Sequence, residues 1–213
     1  MKIGLILDLD GVICDTAKFH FEAWKQLAAE YNYILTESDN EALKGVSRVD
    51  SLKFILQKAN HAISPKQFEI DLVRKNQWYL ELVEQMDDSF LLPGVSHFFQ
   101  TAKSLNIPLA LGSASKNAEL VLNKVGLLNQ FDAIVDANLV KNGKPHPETF
   151  LKAAEMLQIP ATQCTVFEDS ASGIKAAIDG NMFAVGIGNP TDLPLANYCI
   201  PNLGQFDFST LKL

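Results

Sequence analysis

The sequence predicts an α/β protein, a parallel sheet covered by helices and interrupted by an all-helical insertion. Short continuous apolar runs, "IGLILD" (3–8), "IPLALGS" (107–113), "DAIVDA" (132–137), "CTVFED" (164–169) and "MFAVGIG" (182–188), alternate with helix-period segments such as "NAELVLNKVGL" and "ETFLKAAEML". That is the βαβα pattern of strands buried on both faces. From about residue 16 to residue 88 the alternation stops and only helical periodicity remains.

The first run ends in Asp8, Leu9, Asp10 and Gly11, two carboxylates one residue apart at a strand end. Like charges that close raise each other's pKa, so a positive partner is expected there. In the insertion, Phe21, Trp24, Leu27 and Tyr31 share one helical face, and Ser64-Pro65-Lys66-Gln67 reads as a capping box with proline at the first helical position. The two crossings between sheet and insertion fall near 14–18 and 87–94, where "DDSFLLPG" supplies turn chemistry.

Three of the remaining strand ends carry polar residues too. Ser113, Ser115, Lys116 and Asn117 follow the second run, Lys144 lies in the loop after the third, and Glu168 and Asp169 close the fourth. In an open parallel sheet the carboxyl ends of all strands share one edge, so these residues converge. Taken singly, each has an ordinary reading: an Asx turn, a surface lysine, a turn serine, a helix cap. Together they form a site of four carboxylates, one lysine and hydroxyls, a hard-oxygen donor set that suits Mg²⁺ and a phosphate dianion. An EF-hand is excluded, because the glycine falls too early and the twelfth position counted from Asp8 is Phe19.

The bulk properties agree with a small-molecule enzyme. The chain has 213 residues, 47% of them hydrophobic, enough for one large domain or one domain carrying an insertion. With 18 Lys and Arg against 25 Asp and Glu, the net charge of -7 leaves no overall basic footprint for nucleic acid or an anionic membrane. The three cysteines, Cys14, Cys164 and Cys199, are widely spaced and read as reduced, buried thiols. Asp8 interrupts the N-terminal apolar run before a signal-peptide core or membrane span is complete, so a soluble, cytoplasmic protein is expected.

At this point "DLDGVICDT", "LGSASKN", "KNGKPHPETF" and "FEDSASGI" resemble the four motifs of the haloacid dehalogenase-like (HAD-like) phosphotransferases, in order and over the whole chain. In the insertion, "HFEAWKQLAAEY", "LKGVSRVDSL" and "RKNQWYLELV" are similar to the caps of sugar phosphomutases within that family. The resemblance implies a Rossmann-like core at 1–15 and 89–213 and a four-helix-bundle-type cap at 16–88. It implies interconversion of β-glucose 1-phosphate and glucose 6-phosphate through β-glucose 1,6-bisphosphate, by a monomer. Carried over, Asp8 is the nucleophile that becomes an aspartyl phosphate, and Asp10 is the general acid and base. Mg²⁺ is held by Asp8, the main-chain carbonyl of Asp10, Glu168 and Asp169, while Ser113, Ala114 and Lys144 hold the transferring phosphate.

The four core motifs serve equally a mutase, in which a sugar hydroxyl attacks the aspartyl phosphate, and a phosphatase of small sugar phosphates or phosphoglycolate, in which water does. A third possibility, a non-catalytic phosphosugar sensor, sits poorly with a full set of catalytic side chains. A bisphosphate needs a second phosphate site, for which Arg48 is suited, with Lys116 and Asn117 on the core loop completing it when the cap closes; Ser115, beside them, is expected to bind substrate. By resemblance, Thr16 and His20 belong to the hinge network that keeps Asp10 from reacting until the cap closes, with help from Lys44, and Gly45 and Val46 contact the sugar. Trp24 and Lys75 match cap positions and read mainly as packing residues. Cys14 and His146 stand outside the family pattern.

Overall fold

The computed structural model describes residues 3–211. A six-stranded parallel sheet is built from β1 (Gly4–Leu7), β2 (Leu109–Gly112), β3 (Ala133–Val135), β4 (Cys164–Glu168), β5 (Phe183–Ile187) and β6 (Tyr198–Ile200), in the spatial order β3-β2-β1-β4-β5-β6. Helices α1 (Ala17–Glu30), α2 (Glu37–Leu43), α3 (Arg48–Lys58) and α4 (Pro65–Val83) fill the insertion. The sheet is covered by α5 (Val95–Ser104), α6 (Ala118–Lys124), α7 (Glu148–Leu157) and α8 (Ala171–Asp179). Among the described residues no helix is long and apolar enough to cross a membrane.

The side-chain period of two sorts β1 between two apolar layers. Leu5 and Leu7 join Phe98, Val121, Leu122 and Phe167 on one side, while Ile6 joins Ala110, Phe150, Val166 and Ile174 on the other. Because Leu7 pairs with Leu111 of β2 and with Phe167 of β4, the ends of all three strands fall level. That register puts Asp8, Ser113 and Glu168 on one edge of the sheet.

The helical insertion has its own apolar cluster, with Trp24, Leu27, Leu52, Ile55 and Leu72 buried in it. It is seated on the sheet layer through Ala23, Tyr79 and Val83, which pack into the cluster of Leu5 and Leu7. The two crossings lie side by side: Cys14 bridges both Asp10 and Leu91, and the Leu92 N–H donates to the Ile13 carbonyl at 2.9 Å. Cys14 is fully buried between them, so a small side chain is required there.

Two details differ from the sequence reading. Ser64 does accept from the Gln67 N–H at 3.1 Å, but the Gln67 amide donates to Asp71 at 2.9 Å instead of reaching back, so only half of the expected capping box forms. The complete box is at α2, where Thr36 and Asp39 cap each other reciprocally. The strand β6 is also additional to the five apolar runs, because its three residues follow a turn-rich "GNPTDLPLAN" and carry no run of their own.

The Asp39 carboxylate accepts from the Thr36 hydroxyl and N–H at 2.6 and 3.0 Å and from the Tyr33 hydroxyl at 2.7 Å. These bonds, the Thr36 hydroxyl first, hold its pKa well below the usual carboxylate range. Asp39→Asn is expected to lower the unfolding free energy at neutral pH by about 1 kcal/mol. A depressed native pKa stabilises fully above the unfolded value, so the gap should close as pH falls below about 4. Urea unfolding of both proteins over a pH series measures it.

Candidate active site

The floor of the site is a buried ion-pair triad. Lys144 Nζ lies 2.5 Å from Asp8 Oδ1 and 2.7 Å from Glu168 Oε2, and the lysine and glutamate side chains are fully inaccessible. Asp8 leaves the end of β1, Glu168 ends β4, and Lys144 comes from the loop between β3 and α7. Glu148, in the first turn of α7, folds that loop by accepting from the N–H groups of Lys141 and Asn142 at 2.8 and 3.0 Å. His146, outside the family pattern, supports the same turn, since its Nδ1 accepts from the Glu148 N–H at 3.2 Å.

Asp8, Glu168 and Asp169 each offer an oxygen within 4.8 Å of the others. Around them two glycines leave no room for side chains. A Cβ on Gly11 would lie 2.0 Å from Asp169 Oδ2, and one on Gly173 would lie 2.0 Å from the Glu168 carboxyl. Gly11 also has φ +79°, open to glycine and strained for other residues.

The electrostatics of the floor call for more positive charge than Lys144 supplies. Burial, then the Glu168 charge, raises the Asp8 pKa to about 7 against the pull of Lys144. Burial, then Asp8, raises that of Asp10 to about 8, and burial with Glu168 and Asp8 raises that of Asp169. Burial acts to lower the pKa of Lys144, but the Asp8 and Glu168 charges outweigh it and the pKa is raised. Asp10 Oδ1 is buried with no hydrogen-bond partner. Hard oxygens at this spacing, in excess of what one lysine can balance, fit a divalent cation.

Above the floor is a cavity of about 450 Å³ whose lining includes Asp8, Asp10 and Asp169. Of the residues singled out in the sequence, His20, Trp24, Lys44, Gly45, Val46, Arg48, Lys75, Ala114, Ser115 and Lys116 also line it. The rest stand behind the wall. Thr16 is fully buried at the start of α1, Ser113 Oγ accepts from the Ser115 N–H at 3.1 Å, and Asn117 turns its amide to Asn76 of α4 at 2.8 Å. Asn117 thus joins the insertion to the core loop.

Lys75 is more than packing. Its Nζ is buried 2.6 Å from His20 Nδ1 and 4.6 Å from the Trp24 ring centroid. Burial and the Arg48 charge hold the Lys75 pKa well down, and burial and Lys75 do the same to His20. Tyr79 is not among the residues the sequence singles out. It is fully buried and stacks on His20 with centroids 4.0 Å apart, its hydroxyl, like that of Thr16, without a partner. Its position four residues after Lys75 on one helix is the available signal.

Comparison with known proteins agrees with this geometry. A family model described as haloacid dehalogenase-like hydrolase matches residues 4–181. A β-phosphoglucomutase of Bacillus subtilis is 40% identical over 189 residues, covering 87% of this chain and 83% of the relative. A fructose-1-phosphate phosphatase of Escherichia coli is 34% identical over 190 residues, covering 86% and 95%. The crystal structure of a β-phosphoglucomutase from Clostridium difficile superposes with a TM-score of 0.95 at 40% identity, covering 100% of this chain and 96% of that one.

Two outcomes test the floor. Lys144→Ala leaves two buried carboxylates without their cation and is expected to lower stability by about 3 to 5 kcal/mol. Added divalent cation should narrow that gap, read as thermal unfolding with and without chelator. Gly11→Ala, which pushes on Asp169, should weaken divalent-cation binding by about 10- to 100-fold with the fold retained, as calorimetry and circular dichroism would show.

Proposed function

The chain belongs to the haloacid dehalogenase-like hydrolase family, and within it we propose β-phosphoglucomutase activity: interconversion of β-glucose 1-phosphate and glucose 6-phosphate through β-glucose 1,6-bisphosphate. In this reading residues 1–15 and 89–213 are the catalytic core and 16–88 the cap. The observation that carries it is a second set of phosphate-binding groups in the cavity lining. Arg48 is one of them, half-buried, with burial the main influence on its charge and no ion-pair partner among the described residues. With Ser115 and Lys116, which line the same cavity, it suits a second phosphate, which a bisphosphate intermediate needs and a simple phosphatase does not.

The residues then act as follows. With Asp8 phosphorylated, Asp10 takes the proton from the 6-hydroxyl of β-glucose 1-phosphate as that oxygen attacks phosphorus, and the bond to Asp8 breaks. The bisphosphate turns end for end, its other phosphate held at Arg48, Ser115 and Lys116. Asp8 then attacks the phosphorus at the 1-position, and Asp10 returns its proton to the departing sugar oxygen. Its raised pKa, near neutrality, suits an acid that must become a base in the next step. Ser113, Ala114 and Lys144 hold the transferring group. Mg²⁺, which Asp8, the Asp10 carbonyl, Glu168 and Asp169 would hold, supplies charge neutralisation at the phosphoryl oxygens.

Thr16 and His20, with Lys44, hold Asp10 back from reaction until the cap closes, and Gly45 and Val46 meet the sugar. The second reading, a sugar-phosphate phosphatase, has the Escherichia coli relative in its favour. One assay separates the two: protein with β-glucose 1-phosphate, Mg²⁺ and a trace of β-glucose 1,6-bisphosphate, followed for glucose 6-phosphate and inorganic phosphate. Glucose 6-phosphate should lead; phosphate appearing first would overturn the mutase. Asp8→Ala should abolish both products. Arg48→Ala should weaken bisphosphate binding at least about tenfold, the worth of a charge-assisted bond, with Mg²⁺ affinity unchanged.

A further inference from the structure

Ser172, in the first turn of α8, takes no part in the chemistry above, yet it joins the cap to the floor of the site. Its hydroxyl donates to the main-chain carbonyl of Lys44 at 3.1 Å, 128 residues away in sequence. It also lies 3.2 Å from Ser170 Oγ. Ser170 in turn donates to Glu168 Oε1 at 2.7 Å and accepts from the Gly173 N–H at 3.1 Å. The cap loop is drawn down onto these hydroxyls: a Cβ on Gly45, at φ +68°, would lie 2.6 Å from both.

A serine hydroxyl has one proton. With the Ser170 proton on Glu168 and the Ser172 proton on Lys44, the contact between the two oxygens carries none. If the cap lifts and takes the Lys44 carbonyl away, the Ser172 proton has another acceptor at hand, Ser170 Oγ. In the open state the proton falls back on the longer Ser170 contact and the Lys44 carbonyl turns to water, so closure gains one direct hydrogen bond between the loop and the core, small enough to be broken in each cycle. An enzyme whose intermediate must turn over between two transfers needs a closure of that kind.

We propose that Ser172 is a positioning residue, a reversible latch that sets the Lys44–Val46 loop against the core and limits the access of water to the aspartyl phosphate. The proposal rests on the capped phosphoryl-transfer reading. Ser172→Ala retains a good helix former at an N-terminal helix position, so the fold should survive.

Loss of one neutral hydrogen bond should raise KM for β-glucose 1-phosphate and the ratio of inorganic phosphate to glucose 6-phosphate roughly three- to tenfold. Mg²⁺ affinity should stay unchanged by calorimetry. Amide hydrogen exchange over residues 43–47, measured with Mg²⁺ present, should quicken by a similar factor, while exchange in the sheet does not. Unchanged exchange in that loop, or exchange quickened throughout the chain, overturns the latch. Should the parent protein form no glucose 6-phosphate, the mutase reading fails, and the loop exchange still decides the contact.

Discussion

The structure is organised around one buried ammonium group. Lys144, its side chain inaccessible to solvent, bridges Asp8 and Glu168, and its two partners lie 136 and 24 residues away. A charge in such surroundings is tolerable only if its partners are held at hydrogen-bond distance, so the ends of β1 and β4 and the loop after β3 are fixed relative to one another. Gly11 presses against Asp169 and Gly173 against Glu168, and Glu148 folds the loop that delivers the lysine. With four acids and one lysine the balance stays negative until a cation arrives, and that imbalance makes the place a receptor for metal and phosphate.

How much of this is legible in the sequence follows from the range of each interaction. Parallel strand ends share an edge by topology, so Asp8, Ser113, Lys144 and Glu168 can be grouped from the order of the motifs alone. The β6 strand cannot, since three residues give too short a pattern to read. At Ser64 the motif is present and only half the bonds are, because Gln67 has a better acceptor in the buried Asp71. Tyr79 reads as one more apolar helix residue, and its stacking on His20 depends on how α1 and α4 cross. The partners of Asn117 and Ser172 lie across the boundary between insertion and core, where local pattern carries no information.

The insertion acts on the chemistry through a few such crossings. Asn76 with Asn117 and Lys44 with Ser172 tie it to the core, and the two crossings lie side by side at Cys14 and Leu91. Lys75 is the unusual element. It is buried between His20, Trp24 and Tyr79 with no direct carboxylate partner, and burial with the nearby Arg48 charge holds its pKa well down.

The central place of β1 also bears on how the protein is made. The strand carrying Asp8 pairs with residues 109–111 and 164–167, so at a ribosome it waits for on the order of a hundred residues before its first neighbour exists. At about 5 to 20 residues per second that is several seconds or more with "GLIL" exposed. Meanwhile α1 to α4, whose contacts are local, can already assemble. The earliest sheet strand to be translated is therefore flanked on both sides only once residue 167 has been made, and its short, four-residue length keeps the sticky surface shown to the cell small during that wait.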